Sequence, residues 1–391
     1  LIRLAFIVSH PIQYYVPLYR RLAQRDDVQV KVFYTWHAGQ RAQFDSGFKK
    51  EIAWDIPLLD GYEYELVPNA SRRPGTDHFF GLRNPSLIER VLAWQPDVVH
   101  LTGYPYLSHL RALRTFAKRN LPVIYRGDSH LLDQRKSGPK WLLKRTLLTK
   151  VFSWPAALLY VGQANREYYR TFGVPESKLV YCPHSVEVER FAEPDAELEN
   201  EARLWRKQLH IPDGTRVVLF AGKFEDKKRP VPLMKAFLKC DLPNTILLML
   251  GDGIYGKEVC DLAARHPERF RVVPFQNQNR MPVVYRLGNE LVLPSAYEET
   301  WGLAVNEAMA CGRPALVSDR VGCGPDLIRP GENGQIFRAD DWSDFCEKLK
   351  SMPASDSAES REKIKAWARN WSVEKTADTL AAAAIKLAAK P

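Results

Sequence analysis

No apolar run in this chain of 391 residues approaches the ~18–20 that would cross a bilayer as a helix, so a helical membrane protein is not expected. Low-complexity tracts and repeats of solenoid period are also missing, which sets aside disordered and solenoid architectures. Cysteine is scarce: Cys182, Cys240, Cys260, Cys311, Cys323 and Cys346 show no C-x-x-C pair and no Cys/His spacing of a zinc site. In a chain of this size we therefore expect free thiols, a reducing compartment, a cytoplasmic location and no metal. The opening residues, LIRLAFIVSH, lack a small-residue cleavage site and read as a first strand rather than a signal peptide.

Acidic residues are short in one half only. Residues 1–190 hold 27 Lys and Arg against 17 Asp and Glu, whereas the remainder balances at 29 of each. The excess peaks over residues 111–150, with 11 basic side chains and only Asp128 and Asp133 to oppose them. Such a surface attracts anionic lipid, a phosphate-bearing substrate or nucleic acid.

What the chain has in quantity is alternation. Apolar strand-like runs at 3–8, 28–34, 97–101, 122–125, 157–161 and 179–182 are separated by helix-like segments such as 17–25, 86–94, 106–119 and 163–172. A second series follows at 216–221, 245–250, 271–275, 290–293 and 314–317. This β-α alternation predicts an α/β protein of two doubly wound domains, with a cleft between the carboxyl ends of their strands. We place them at 1–190 and 191–372, with the acidic, proline-containing segment 183–202 as a linker leading into a helix. The Ala-rich stretch 373–390 reads as a helix, and 373–391 is expected to pack back on the N-terminal domain.

Two stretches carry chemistry. In EETWGLAVNEAMACGRPALVSD (298–319), Glu299 and Glu307 are eight positions apart, about 12 Å if all were helix. A strand ending near 294, a loop over 295–302 and a helix over 303–311 put Glu299 before the helix and Glu307 on its second turn. Between them lie Thr300 and the backbone amides of Trp301, Gly302 and Leu303, at the positive end of the helix dipole. Carboxylates to accept hydroxyl hydrogens beside amides to cradle an anion make a polyol and phosphate site. The plainer alternative is an ordinary N-terminal charge at Glu299 and a solvated or buried Glu307. In LFAGKFEDKKRPVPLMKAFLK (219–239), a strand ends at Gly222, and Lys223 and Lys228 flank a short acidic loop. Two cations there can hold a diphosphate and neutralise a departing leaving group; a solvated turn is the alternative.

The order AGKFEDKKRP, MLGDG, PFQNQNRMPVVYRLGNELVLPS, EETWGLAVNEAMACGRPALVSD and GENGQIF is similar to the C-terminal half of the retaining glycosyltransferases of family 4 (group 1), which have the GT-B fold. SHPIQYYVPLYRRLA and WQPDVVHLTGYPY resemble the N-terminal half of the same family. The resemblance implies a nucleotide-diphosphate sugar donor, uridine-linked by family habit, with its diphosphate against Lys223, Lys228 and the amides after Trp301. Glu307 would bind the ribose hydroxyls and Glu299 would stand beside the transferred sugar. The base would stack near Phe275, Gln276 and Asn277. It further implies a metal-independent enzyme with no cofactor, acting on a glycan or lipid-linked acceptor in the synthesis of surface polysaccharide or another glycoconjugate.

Several positions depart from the family. In place of a glycine-rich first loop the chain reads SHPIQYYVP, where His10 and Gln13 are candidates to reach phosphate or acceptor and Tyr14 or Tyr15 to stack on a sugar. Some relatives carry a catalytic-site histidine where this chain has Thr102. Asp128 and His130 in YRGDSH are candidate replacements, and Arg126 is a candidate phosphate contact. Aromatic packing and a satisfied core histidine are the alternatives. Residues 136–154 mix Lys140, Lys144, Arg145 and Lys150 with Trp141 and four leucines, a composition suited to an anionic membrane surface at the inner leaflet; a core helix with a solvated basic face is the alternative. A GT-B epimerase would explain the fold but not the paired glutamates. A nucleic-acid-binding protein would explain only the charge, and no nucleic-acid partner is expected.

Overall fold

The computed structural model describes residues 1–37, 43–45, 50–132, 137–354 and 357–389. Asp133 and Lys136, the latter at the start of the basic stretch, lie outside the described residues. The chain forms two compact units: 1–42, 56–184 and 373–391 in one, and 43–55 with 185–372 in the other.

In the first unit, seven parallel strands lie in the order Glu63–Leu66, Val28–Tyr34, Ile2–Val8, Val98–Thr102, Val123–Arg126, Ala157–Tyr160, Leu179–Tyr181. Counted along the unit this is 3-2-1-4-5-6-7, with the direction of winding reversing between Ile2–Val8 and Val98–Thr102. Central strands buried on both faces need continuous apolar runs, and Leu4, Ala5, Phe6 and Ile7 are all fully buried. Helices Leu107–Lys118, Pro139–Ser153 and Gln163–Thr171 cover the sheet through Phe116, Phe152 and Tyr169. Helix Val373–Ala388 belongs to this unit. It packs on helix Val16–Ala23 and strand Ile2–Val8, burying Leu380, Ala381 and Ala384, and Asp378 pairs with Arg25.

The second unit has six parallel strands in the order Phe270–Val273, Thr245–Leu250, Arg216–Ala221, Glu290–Leu293, Ala315–Ser318, Gly334–Phe337. The winding is again 3-2-1-4-5-6, reversing between Arg216–Ala221 and Glu290–Leu293. Such a reversal leaves a crevice beyond the carboxyl ends of those two strands. Phe220, Phe224, Met234, Phe237, Phe270 and Phe345 fill the core on one side.

Segment 183–202 forms helix Val188–Ala192 and the first half of helix Asp195–Gln208, whose Asp195 carboxylate pairs with buried Arg286 and Lys365. One expectation needs correction: not all six cysteines are free. Cys240, at the end of helix Pro230–Lys239, is bonded to Cys346 in helix Trp342–Lys350, with Cα atoms 5.3 Å apart, while Cys182, Cys260, Cys311 and Cys323 are thiols. The sequence separation of 106 hid the pair, because spacing reveals only local frameworks.

Candidate functional site

The two loops at the reversal point of the second sheet are stitched together. After strand Arg216–Ala221 the chain runs through Gly222 and Lys223 to a turn at Asp226–Lys228; after strand Glu290–Leu293 it runs through Ser295 to Gly302. Ala296 donates its amide to the Lys227 carbonyl at 2.8 Å, and Tyr297 its hydroxyl to Asp226 Oδ2 at 2.7 Å. Arg229 holds a left-handed conformation (φ 51°), fixed by Asp226 at 2.9 Å and Asp340 at 3.0 Å. The glycine of MLGDG has its own reason: a Cβ on Gly251 would stand 1.9 Å from the Gly222 carbonyl oxygen, so only glycine lets the neighbouring strand end approach.

Lys228 Nζ and Glu299 Oε2 form a direct ion pair between these loops, and Ser295 Oγ donates to the same oxygen at 2.8 Å. Burial alone would raise the pKa of Glu299. The Lys228 ammonium and the Ser295 hydroxyl outweigh it and hold the carboxyl below its ordinary value, so it is ionised at neutral pH. Sequence reasoning assigned Lys228 to the diphosphate and Glu299 to the sugar. The structure brings the two together, one charge on each side of a mostly buried pair.

Beyond Glu299 the chain turns through Gly302, at φ 98°, into helix Leu303–Ala310. Backbone strands of this turn are clamped by Gly322 N to Glu299 O and Cys323 N to Trp301 O, both 3.0 Å. Trp301 is buried with Nε1 donating to Asn306 Oδ1 at 2.8 Å. The first-turn amides of the helix and its dipole thus face the loop that carries Glu299. Glu307 sits on the second turn, 2% exposed. Its Oε2 accepts from the Tyr285 hydroxyl at 2.5 Å, and its Oε1 has no hydrogen-bond partner among the described residues. Burial pushes its pKa up to about 7, with Tyr285 and Arg190 pulling the other way. A buried carboxyl oxygen without a donor costs stability unless a ligand hydroxyl meets it.

The proposed base loop divides. The Gln276 side chain folds onto the Pro274 carbonyl at 3.1 Å. Asn277 donates to Ala53 O at 2.7 Å and caps the turn Gln278–Arg280, so its amide serves the loop's own structure. Phe275 lies between strand Phe270–Val273 and that turn.

In the first unit, His10 follows strand Ile2–Val8 at the reversal point. Its Nδ1 is 3.0 Å from Ser9 Oγ, its ring meets Trp36 edge-on, and burial lowers its pKa to about 4. It is neutral at pH 7. Gln13 and Tyr14 lie in the turn before helix Val16–Ala23, both half-buried. His130 is buried and accepts the Leu132 amide on Nδ1 at 3.3 Å. Arg126 ends strand Val123–Arg126, 2% exposed, and its guanidinium reaches the Cys182 carbonyl at 3.1 Å and His184 Nδ1 at 3.4 Å, 5.6 Å above the Tyr15 ring. Its Nε has no partner and no carboxylate pairs with it among the described residues. Asp128 lies 3.8 Å from His184 instead. A buried cation without a counter-charge is a ready anion site.

A family model for glycosyl transferases group 1 matches residues 201–371, and a model for Glycosyltransferase Family 4 matches residues 13–190. The chain belongs to the group 1 glycosyltransferases. Relatives of this group 1 chain include a D-inositol 3-phosphate glycosyltransferase of Rhodococcus erythropolis, 33% identical over 189 residues that cover 45% of this chain and 42% of that protein. One of Arthrobacter sp. is 32% identical over 168 residues, 38% of each. The chain thus matches less than half the length of these curated relatives. Among solved structures it is similar to Anabaena HepE in complex with UDP and glucose (TM-score 0.67, 17% identity, 99% of this chain and 100% of that one). It is also similar to a Rickettsia africae glycosyltransferase (TM-score 0.73, 11% identity, 100% and 99%). The shared fold is GT-B, with two Rossmann-like units.

Sequence reasoning missed Tyr285, Ser295 and His184. Ser295 stood in the quoted loop without a role. Tyr285 and His184 carried no local signal, since their partners Glu307 and Arg126 are 22 and 58 residues away.

Proposed function

We propose that this glycosyltransferase moves a sugar from a nucleoside diphosphate sugar, uridine-linked, to a phosphate-bearing or lipid-linked acceptor with retention of anomeric configuration. The observation that carries the reading is Glu307. A fully buried carboxyl with one oxygen saturated by Tyr285 and the other unmet suits the adjacent hydroxyls of a ribose. Lys228 then serves the diphosphate, sharing its three donors between Glu299 and a phosphate oxygen, with Lys223 nearby in the same loop. The helix amides after Gly302 add donors without a bound metal.

In the step we envisage, the bond from the anomeric carbon to the diphosphate oxygen breaks as the acceptor oxygen approaches the same face. The acceptor's proton passes to the departing phosphate, and Lys228 stabilises the charge left there. The name of the Rhodococcus relative carries a phosphorylated acceptor, and HepE holds UDP and glucose. Both support the reading, the first through the uncompensated Arg126. Thermal stabilisation by UDP, GDP and ADP tests it. At 100 times its dissociation constant a bound diphosphate adds about 2.7 kcal/mol of stability; stabilisation by none of the three would refute the donor assignment.

A peripheral membrane contact is part of the same proposal. Helix Pro139–Ser153 turns Leu148, Val151 and Phe152 inward yet leaves Leu142, Leu143 and Leu147 at 65%, 72% and 56% exposed. Exposed Lys140, Arg145 and Lys150 stand among them. Apolar side chains with a basic surround suit an anionic bilayer. Co-sedimentation with phosphatidylglycerol vesicles should fall in a Leu142→Ser, Leu143→Ser protein, and equal binding by both proteins removes the contact.

A further inference from the structure

The second unit's sheet has another end. Beside Gly214, Gly288 and Asn289, which lead into its two central strands, lies a cavity of about 520 Å³. A six-residue strand spans roughly 20 Å, so the cavity is well removed from Lys228 and Glu299. Five arginines line it, Arg203, Arg206, Arg286, Arg313 and Arg361, against two acidic residues, Glu199 and Asp213. That local excess stands in a half of the chain whose charges otherwise balance.

The deep members of the cluster share their carboxylates. Arg313 Nη2 donates to both oxygens of Glu199, at 2.6 and 2.8 Å, and Arg286 Nε lies 3.6 Å from the same carboxylate. Asp195 serves Arg286 at 2.7 Å and Lys365 at 3.0 Å, and Lys365 has a second, exposed partner in Glu362 at 4.0 Å. Arg313 is 5% exposed, and its Nε has no hydrogen-bond partner among the described residues. Loss of water holds its pKa below the ordinary arginine value despite Glu199, a sign that its charge is poorly compensated. Towards the surface, Arg203 contacts the neutral Asn200 Oδ1 at 2.7 Å, and Arg206 contacts the Leu287 carbonyl at 2.8 Å and Asn289 Oδ1 at 2.9 Å.

We propose that this cavity is a second ligand site, separate from the donor site, for a small phosphorylated molecule bearing at least two negative charges. Guanidinium forks match phosphate oxygens in geometry as well as charge, and five of the residues that carry them line this one space. The volume is that of a small-molecule site, about 300–1,000 Å³. A neighbouring cavity of about 420 Å³ shares Arg206, Gly214 and Asn289 and extends along Arg216 and Met352, giving room for a ligand longer than the phosphate group itself.

Inorganic pyrophosphate is the probe, titrated by calorimetry into wild type, Lys228→Ala, Arg203→Glu and the double variant. Arg203 is exposed, so its replacement spares the buried network, and circular dichroism checks the fold. Arg203→Gln gives a milder form of the same test and is expected to bind with intermediate affinity. Binding that survives Lys228→Ala and weakens about tenfold or more on adding Arg203→Glu is the expected result. It holds whether or not the donor site also takes pyrophosphate, since that second event is lost in Lys228→Ala. No binding in Lys228→Ala, or binding indifferent to Arg203→Glu, overturns the proposal.

Discussion

Replacing Glu307 with glutamine separates two demands that one carboxyl now meets. In the folded protein its pKa is about 7, raised by burial from an ordinary 4.5. Between those values the unfolded chain has lost the proton and the folded chain still holds it. The folded state therefore binds more protons, and this group's contribution to stability falls as pH rises from 4.5 and levels off above 7. At about 1.36 kcal/mol per pH unit the difference comes to about 3 kcal/mol. Glutamine has no such proton and still offers Tyr285 an acceptor. Ligand-free Glu307→Gln should accordingly gain on wild type between pH 5 and pH 8. At about 2–4 °C per kcal/mol for a unit of about two hundred residues, the gap between the melting temperatures should widen by several degrees. Ribose hydroxyls donate to the ionised carboxylate, so UDP affinity of wild type should rise as pH passes 7, and that rise should vanish in Glu307→Gln along with about 1.5–3 kcal/mol of binding. Differential scanning fluorimetry across pH, with and without UDP, reads both quantities. Melting temperatures that stay a constant distance apart from pH 5 to pH 8 would refute the reasoning, because the carboxyl would then titrate as it does in water.

Other expectations follow from the same loops and the core. Lys228→Ala should lower turnover roughly 10²-fold or more, while leaving Glu299 buried without its cation; near-normal kcat in a sugar-transfer assay removes Lys228 from leaving-group stabilisation. Gly302→Ala places a Cβ 2.9 Å from Leu293 Cδ2 and 3.0 Å from Val321 Cγ1 at a φ of 98°. It should cost about 1–3 kcal/mol in urea denaturation, and an unchanged midpoint would show that the turn relaxes freely. Thiol titration of the protein unfolded without reductant should count the four free cysteines, and a count of six would dismiss the Cys240–Cys346 bond.

Legibility in the sequence tracked how locally each feature is encoded. Strands such as Arg216–Ala221 and Thr245–Leu250 could be read to the residue, because burial on both faces demands an unbroken apolar run. Of the edge strands, Leu179–Tyr181 and Phe270–Val273 were read, whereas two others were invisible. Glu63–Leu66 carries two glutamates on an exposed edge, and Gly334–Phe337 begins with a glycine needed because a Cβ there would lie 2.2 Å from the Ala315 carbonyl oxygen. The site followed the same rule. Glu299, Gly302 and Glu307 share one loop and helix and were found together, whereas the pairing of Lys228 with Glu299 spans 71 residues and depends on the winding of the sheet. Charge counting pointed to the first half of the chain, yet the arginine-lined cavity lies in the balanced half, where no net excess marked it.

The return of helix Val373–Ala388 to the first unit has a consequence for how the molecule is made. Synthesis delivers residues 1–184 first, but the surface of helix Val16–Ala23 on which helix Val373–Ala388 packs lacks that cover until the second unit has been translated. The unit that begins first is thus the one completed last. During that interval a nascent chain exposes an apolar face to the ribosome surface and its attendant chaperones, and a premature stop between residues 184 and 373 would leave that face bare for good.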